Sequence, residues 1–155
     1  MKTKIILSVL CLLFISGAFT EGCEEEDLSP NYINVNVTVV ARVVEGDLNS
    51  PEECTAICKN RAIKVFVQKA QGEFQEEIGV TDDACTFNPT RTFSFQLYKE
   101  QRIDAKVYVE NVPPGYEHIA GSQRLEWSEV TRYKEMGETY FWTTYVDAHL
   151  KPNPN

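Results

Sequence analysis

The feature that most constrains the fold is an alternation of apolar and polar residues over positions 32–44, which read YINVNVTVVARVV. Every second residue from Ile33 to Val43 is apolar, and most of these residues are β-branched valines. Side chains of an extended strand point alternately to opposite faces of a sheet, whereas those of a helix repeat every 3.6 residues. The segment therefore predicts a β-strand with one buried face.

Short strand-like runs continue along the rest of the chain. They are residues 62–69, 76–81, 91–98, 103–110, 124–132 and 138–149. Turn signals separate the runs, among them Asn88-Pro89 and the NVPPG segment at 111–115, and no long helical pattern lies between them. We therefore expect an all-β fold, an antiparallel sandwich of about seven strands spanning residues 31–150, followed by a disordered tail at 151–155.

The N-terminus has the layout of an export signal. Lys2 and Lys4 precede an apolar stretch at residues 5–19. A helix of this length spans about 22 Å, which is shorter than the roughly 30 Å hydrocarbon core of a bilayer. Residues 1–22 are thus expected to form a signal helix rather than a permanent membrane span.

The residues around Cys23 carry a resemblance of their own. Gly22 precedes this cysteine and four acidic residues, 24–27, follow it. This arrangement resembles a prokaryotic lipoprotein, and the acidic run is similar to the surface-export tag of Bacteroidetes lipoproteins. The resemblance implies acylation of Cys23, a lipid anchor in the outer membrane or at the cell surface, and an acidic tether over residues 23–30. The alternative is ordinary secretion, with cleavage between residues 18 and 22 and a free thiol at Cys23.

The cysteines distinguish these two alternatives. Cys23, Cys54, Cys58 and Cys85 permit two disulfides if Cys23 remains a thiol. If Cys23 is acylated, one disulfide and one thiol remain, and we expect Cys85 to pair with either Cys54 or Cys58. Export favours disulfides, and zinc is disfavoured because no histidine or second close cysteine pair lies near Cys54 and Cys58.

A second resemblance lies in the middle of the chain. The strand at 63–67, the turn at 80–83, a Phe-x-Phe-x-Leu strand and the VPPGY segment at 112–116 follow one another over about 55 residues. This succession is similar to transthyretin-like and collagen-adhesin B-type modules. The resemblance implies a β-sandwich of the immunoglobulin-like or transthyretin-like type.

Charge and residue content exclude several functions. The net charge of −8 disfavours nucleic acid as a partner, because phosphate backbones repel carboxylates. His118 and His149 are expected to be surface residues, and Ser122 lacks the second glycine of a nucleophile elbow. Asp82 and Asp83 fit a solvated hairpin tip better than a calcium site, which needs six to eight oxygen ligands. The sequence predicts no catalytic site, cofactor or metal.

The last run contains an aromatic cluster with two interpretations. Tyr140, Trp142 and Tyr145 either belong to the core or form a binding surface for a sugar or peptide, because rings on both faces of one strand cannot all enter one core. We thus expect a lipid-anchored surface protein with a binding or structural accessory role and an envelope protein or glycan as partner. The alternatives are a secreted, disulfide-bonded binding protein and a small hydrolase.

Overall fold

The computed structural model describes residues 30–49, 54–70 and 72–154. The signal helix, Cys23 and most of the acidic tether lie outside the described residues. Within the described residues the chain forms nine strands, a short 3₁₀ helix at Ala56–Cys58 and one helical turn, α1, at Trp127–Val130. The strands are β1 Tyr32–Glu45, β2 Ala62–Lys69, β3 Phe74–Val80, β4 Thr86–Phe87, β5 Phe93–Tyr98, β6 Arg102–Val109, β7 Tyr116–Ile119, β8 Gly121–Glu126 and β9 Thr139–Pro152.

The first sheet is built on a long parallel pair. β1 pairs with β9 over twelve positions, from Asn34 opposite Thr139 to Glu45 opposite Leu150. β5 and β4 pair antiparallel with the other edge of β1, and β7 pairs antiparallel with the last residues of β9. The prediction of a purely antiparallel fold is wrong for this sheet. Parallel neighbours need a long crossover, and here residues 46–138 lie between the two strands.

The second sheet is antiparallel, in the order β3-β2-β6-β8. Residues of both sheets share one hydrophobic cluster, in which the alternate residues of β1 meet those of β2 and β6. Val35, Val65 and Val107 are examples, each with no exposed surface. The alternation in the sequence therefore marks the buried face correctly, and the all-β prediction is confirmed as a fold of two packed sheets.

Several elements differ from the sequence prediction. β4 and β7 are additional strands of two and four residues, too short to give a periodic signal. The expected strand at 124–132 ends at Glu126, where a reciprocal capping box between Glu126 and Glu129 starts α1. β9 continues to Pro152, so the predicted tail at 151–155 begins two residues too early.

The strand directions define two ends of the molecule. The proximal end is where β1 and β9 both begin, and it also holds α1 and the 131–138 loop, whose Gly137 donates its backbone N–H to the carbonyl of Tyr32 at 2.8 Å. The distal end is where β1 and β9 finish, and it also holds the cysteine-containing segment. At about 3.3 Å per residue, the fourteen residues of β1 separate these ends by at most about 43 Å.

Candidate binding surface

β9 divides its aromatic residues between two faces. Tyr140 and Trp142 are half-buried and pack against the core. Phe141 and Tyr145 point the other way and remain 73% and 70% exposed. Of the residues predicted for a binding surface, Tyr140 and Trp142 therefore fit the core interpretation, and Tyr145 is the one that is largely exposed. Alternation along a strand separates residues 140 and 142 from 145, and the surface pair is Phe141 with Tyr145.

The outer face of the first sheet surrounds this pair with uncharged residues. In the register of β1 and β9, Asn36 lies opposite Phe141 and Val40 lies opposite Tyr145, with Thr143 between the two rings along β9. On the far side of β1, Ser94 donates a hydrogen bond from Oγ to Oδ1 of Asn36 at 2.9 Å. We call Asn36, Thr38, Val40, Phe141, Thr143 and Tyr145 the aromatic face.

A charged pair closes the aromatic face toward the distal end. The Arg42 guanidinium donates from Nε and Nη2 to the two carboxylate oxygens of Asp147, at 3.0 and 2.6 Å. A depression of about 370 Å³ lies at this point, and its lining consists of Val40, Arg42, Thr86, Tyr145 and Asp147. The Tyr145 ring therefore lies at the rim of a shallow cleft in which the charges of Arg42 and Asp147 form an ion pair.

The cysteines form one of the two pairings that the sequence left open. Cys54 and Cys85 are joined by a disulfide, whereas Cys58 is a fully buried free thiol. Cys58 is therefore not a disulfide residue here. Its backbone carbonyl accepts a hydrogen bond from Thr81 Oγ1 at 2.7 Å, which ties the 3₁₀ helix to the residue after β3.

Asp82 serves the turn between β3 and β4. Its Oδ1 accepts the backbone N–H groups of Ala84 and Thr86, each at 2.9 Å. The hydrogen bond from the Thr86 backbone, with further ones from the Thr86 side chain and Ala84, lowers the pKa of this carboxyl below its ordinary value. Its lone pairs are thus engaged by neighbouring residues, as in an Asx turn.

The two histidines lie deeper than predicted. His149 in β9 is 6% exposed, so its prediction as a surface residue is wrong. His118 in β7 is half-buried, and its ring centroid lies 6.1 Å from that of Tyr108. Burial lowers the pKa of His118 below its ordinary value, although a contact between its ring and the backbone of His149, and the charge of nearby Glu110, oppose the shift. Both ring nitrogens of His118 are buried without a well-formed hydrogen bond.

His118 of β7 borders a cleft of about 310 Å³ whose other lining residues come from β2, β3 and β6 and from Glu110 directly after β6. The lining is Lys64, Phe66, Glu76, Tyr108, Val109, Glu110 and His118. An imidazole and carboxylates meet here, as a hydrolase requires, but this lining contains no serine, threonine or cysteine to act as a nucleophile. Ser122, which the sequence analysis considered as a nucleophile, lies on β8 opposite Lys106 and is not part of this lining.

Comparison with known proteins assigns neither a family nor a function to this chain. No protein-family model, characterised protein or solved structure matches the chain. No helix within residues 30–49, 54–70 and 72–154 has the length and hydropathy to cross a membrane. The same residues contain no group of three or more histidine, cysteine or acidic side chains arranged to hold a metal ion.

The residue set predicted for the binding surface omitted Phe141, the most exposed large hydrophobic residue among those that the structure describes. The signal was present, because Phe141 and Tyr145 are four positions apart, an even spacing, and therefore share a face of β9. The sequence does not indicate which of the two faces is buried. That depends on the pairing of β9 with β1, whose valines enter the core opposite Trp142 and Thr144.

Proposed function

We propose that this chain is an exported, lipid-anchored module of the cell surface that binds a neutral glycan through its aromatic face and has no catalytic role. The observation that carries the proposal is the exposure of Phe141 and Tyr145 on a strand whose other aromatic residues are packed. Two large rings held in water on a paired strand contribute little to folding. Their exposure is explained if they contact a ligand.

The chemistry of the aromatic face favours a sugar. A pyranose presents C–H groups on its faces and hydroxyls around its rim, so it binds where rings adjoin amide and hydroxyl groups. Asn36, Thr38 and Thr143 supply such groups beside the two rings. The rings are four residues apart along β9, about 13 Å, which suits an oligosaccharide better than a single sugar. The absence of a net positive charge on this face, in a chain of net charge −8, favours a neutral glycan.

The anchor is supported by the position of the cysteines. A secreted form with two disulfides would require Cys23 to pair with Cys58. Cys58 is fully buried at the distal end, near Cys85, whose carbonyl accepts the backbone N–H of Val43. Val43 is eleven residues along β1 from Tyr32, about 36 Å, and the nine residues from Cys23 to Tyr32 extend at most about 32 Å, so this pairing would need the whole segment to be fully extended along β1. If Cys23 carries the lipid anchor, it does not need a disulfide partner, and Cys58 can remain the free thiol that the structure shows.

The type of β-fold belongs to the same proposal. We retain the transthyretin-like or immunoglobulin-like sandwich that the turn motifs imply. The two packed sheets and the Cys54–Cys85 disulfide support a sandwich in an oxidising compartment. The VPPGY segment supports it further, since the backbone N–H of Tyr116 bonds to the carbonyl of Pro113 and β7 begins at Tyr116.

Affinity electrophoresis in native gels tests the binding. The probes are a panel of soluble neutral polysaccharides, with an acidic polysaccharide for comparison. We expect retardation of the wild-type chain by at least one neutral probe and loss of that retardation in the Phe141→Ala/Tyr145→Ala variant. Tyr133→Ala is the matched control, because Tyr133 is also 70% exposed but lies outside the aromatic face.

Two outcomes would contradict the proposal. Equal retardation of the wild type and the double variant would remove the aromatic face from binding. Hydrolysis of a chromogenic ester by the wild type, abolished by His118→Ala, would favour the hydrolase alternative and move the function to the cleft beside Tyr108. The purified wild-type chain and the Tyr133→Ala control serve for both assays.

A further inference from the structure

We infer that the 131–138 loop at the proximal end rests on the membrane surface, with Tyr133 and Met136 inserted among the lipid headgroups. The inference rests on the proposed lipid anchor. The surface consists of two exposed large residues on one loop, Tyr133 at 70% and Met136 at 49% exposure. Tyrosine suits this position, because its ring is apolar and its hydroxyl is polar, as the headgroup region requires.

The fold attaches this loop to the start of the domain. Gly137 donates its N–H to the carbonyl of Tyr32, and Asn34 donates its N–H to the carbonyl of Glu138 at 2.9 Å. Gly137 also packs against Pro30, since a Cβ on this glycine would lie 2.7 Å from Pro30 Cγ. The loop therefore lies against the point where the domain begins.

Covalent length then places the loop near the lipid. Cys23 precedes Pro30 by seven residues, which extend at most about 25 Å however they are arranged. Leu48, which is 67% exposed, follows β1 at the distal end, up to about 43 Å from Tyr32. Of these exposed apolar residues, those of the 131–138 loop are within reach of an acylated Cys23, and Leu48 is not.

The charges of the loop indicate the kind of membrane. Arg132 and Lys134 are offset by Glu129, Glu135 and Glu138, and Lys134 pairs with Glu138 at 3.6 Å. With four acidic residues in the tether as well, the proximal end favours zwitterionic over anionic headgroups. One tyrosine and one methionine by themselves give only a weak affinity for the membrane. Acylation makes it effective, because it raises the concentration of the loop at the bilayer.

Fluorescence quenching in reconstituted vesicles tests the inference. The mature protein, purified from its membranes, is placed in vesicles of phosphatidylcholine with brominated acyl chains. Tyr133→Trp carries the probe, and Tyr145→Trp is the matched control because the two tyrosines are equally exposed. After subtraction of the wild-type emission from Trp127 and Trp142, we expect a blue shift and strong quenching for Tyr133→Trp and neither for Tyr145→Trp. Met136→Trp repeats the test at the second position.

Intact mass measured on the same preparation separates the two ways of failing. If Cys23 carries acyl chains but residues 133 and 136 give unshifted, unquenched emission, the loop does not contact the membrane and the anchor stands. If the mature chain carries no acyl mass, the anchor fails and the inference fails with it. Acyl mass together with quenching restricted to residues 133 and 136 supports both.

Discussion

The outer faces of the two sheets keep exposed apolar residues in different surroundings. On the four-stranded sheet, Phe74 and Ile78 of β3 are 55% and 63% exposed, but Glu76 lies between them and Lys64 lies opposite Ile78. On the five-stranded sheet, Phe141 and Tyr145 are separated by Thr143. The first face places a charge between its apolar groups, whereas on the second face the nearest charges, Arg42 and Asp147, lie beyond Tyr145 and pair with each other.

This difference favours the five-stranded face as the surface that would bind the proposed ligand. Cross-strand ion pairs such as Arg124 with Asp104 at 2.7 Å, and Lys64 with Glu110 at 3.4 Å, keep the four-stranded face hydrated and hinder contact with another edge strand. The aromatic face lacks such charges over the span from Asn36 to Val40 of β1. A ligand binding there displaces water from rings and amides without desolvating an ion, which is the less costly process.

Cutting the covalent link between the two layers is expected to have the largest effect. The disulfide joins Cys54, before β2 of the four-stranded sheet, to Cys85, before β4 of the five-stranded sheet. With a sequence separation of 31, its loss is expected to lower the free energy of unfolding by about 3–4 kcal/mol. Chemical denaturation of Cys85→Ser measures this change. An unchanged midpoint would mean that no bridge forms in solution.

Adjacent aromatic residues of β9 provide the next test. Trp142 packs against the core, so Trp142→Ala is expected to lower the free energy of unfolding by about 2–3 kcal/mol, less than for a fully buried tryptophan. Phe141→Ala changes an exposed ring and should alter stability by about 0.5 kcal/mol or less. Thermal denaturation compares the two variants. Equal losses would show that the outer ring also belongs to the packed structure.

Acid is expected to weaken the edge where the two sheets meet at His118. Burial lowers the folded pKa of His118 below its ordinary value of 6.5, so the unfolded chain binds the proton more readily. Stability should therefore fall as pH drops below about 6.5 and continue to fall until the folded pKa is reached. His118→Phe keeps a ring but removes the titration, so its stability should vary less with pH between 7 and 5. Identical pH profiles would exclude this role.

The smallest effect on stability is expected from a charge placed in the aromatic face. Thr143 is exposed between the two rings, so Thr143→Glu should change the free energy of unfolding by about 0.5 kcal/mol or less. Binding of the neutral polysaccharide should nevertheless be lost, because an ionised carboxylate between the rings resists desolvation. Thr143→Ser is the matched control and should retain binding. Retained binding in Thr143→Glu would place the ligand elsewhere.

The sequence predicts the local structure of this chain better than its long-range pairing. The alternation in residues 32–44 and the run at 62–69 identify β1 and β2, the second of them residue for residue. The parallel pairing of β1 with β9 joins residues more than a hundred positions apart, and nothing local to either strand specifies the direction of its partner. The aromatic face depends on that pairing. Tyr145 was predicted as a candidate surface residue and is exposed, but Phe141, which lies on the same face of β9, was not included in the prediction.

Capping also limits prediction at the end of β8. Residues 124–132 alternate well enough to suggest one strand, but Glu126 and Glu129 bond each other's backbone and turn the chain into α1. This turn directs residues 131–138 to the proximal end, where their contact with Pro30 is specified by tertiary structure. The loop inferred to meet the membrane could therefore not be located from the sequence.

Intact mass spectrometry of the mature protein from membrane and soluble fractions, with and without reduction, tests the central claim most directly. A tethered module with one disulfide predicts membrane material that begins at Cys23, carries acyl mass and gains two protons on reduction, from Cys54 and Cys85. A soluble, unacylated chain that gains four protons would contradict the account, because it would show that Cys58 pairs with Cys23.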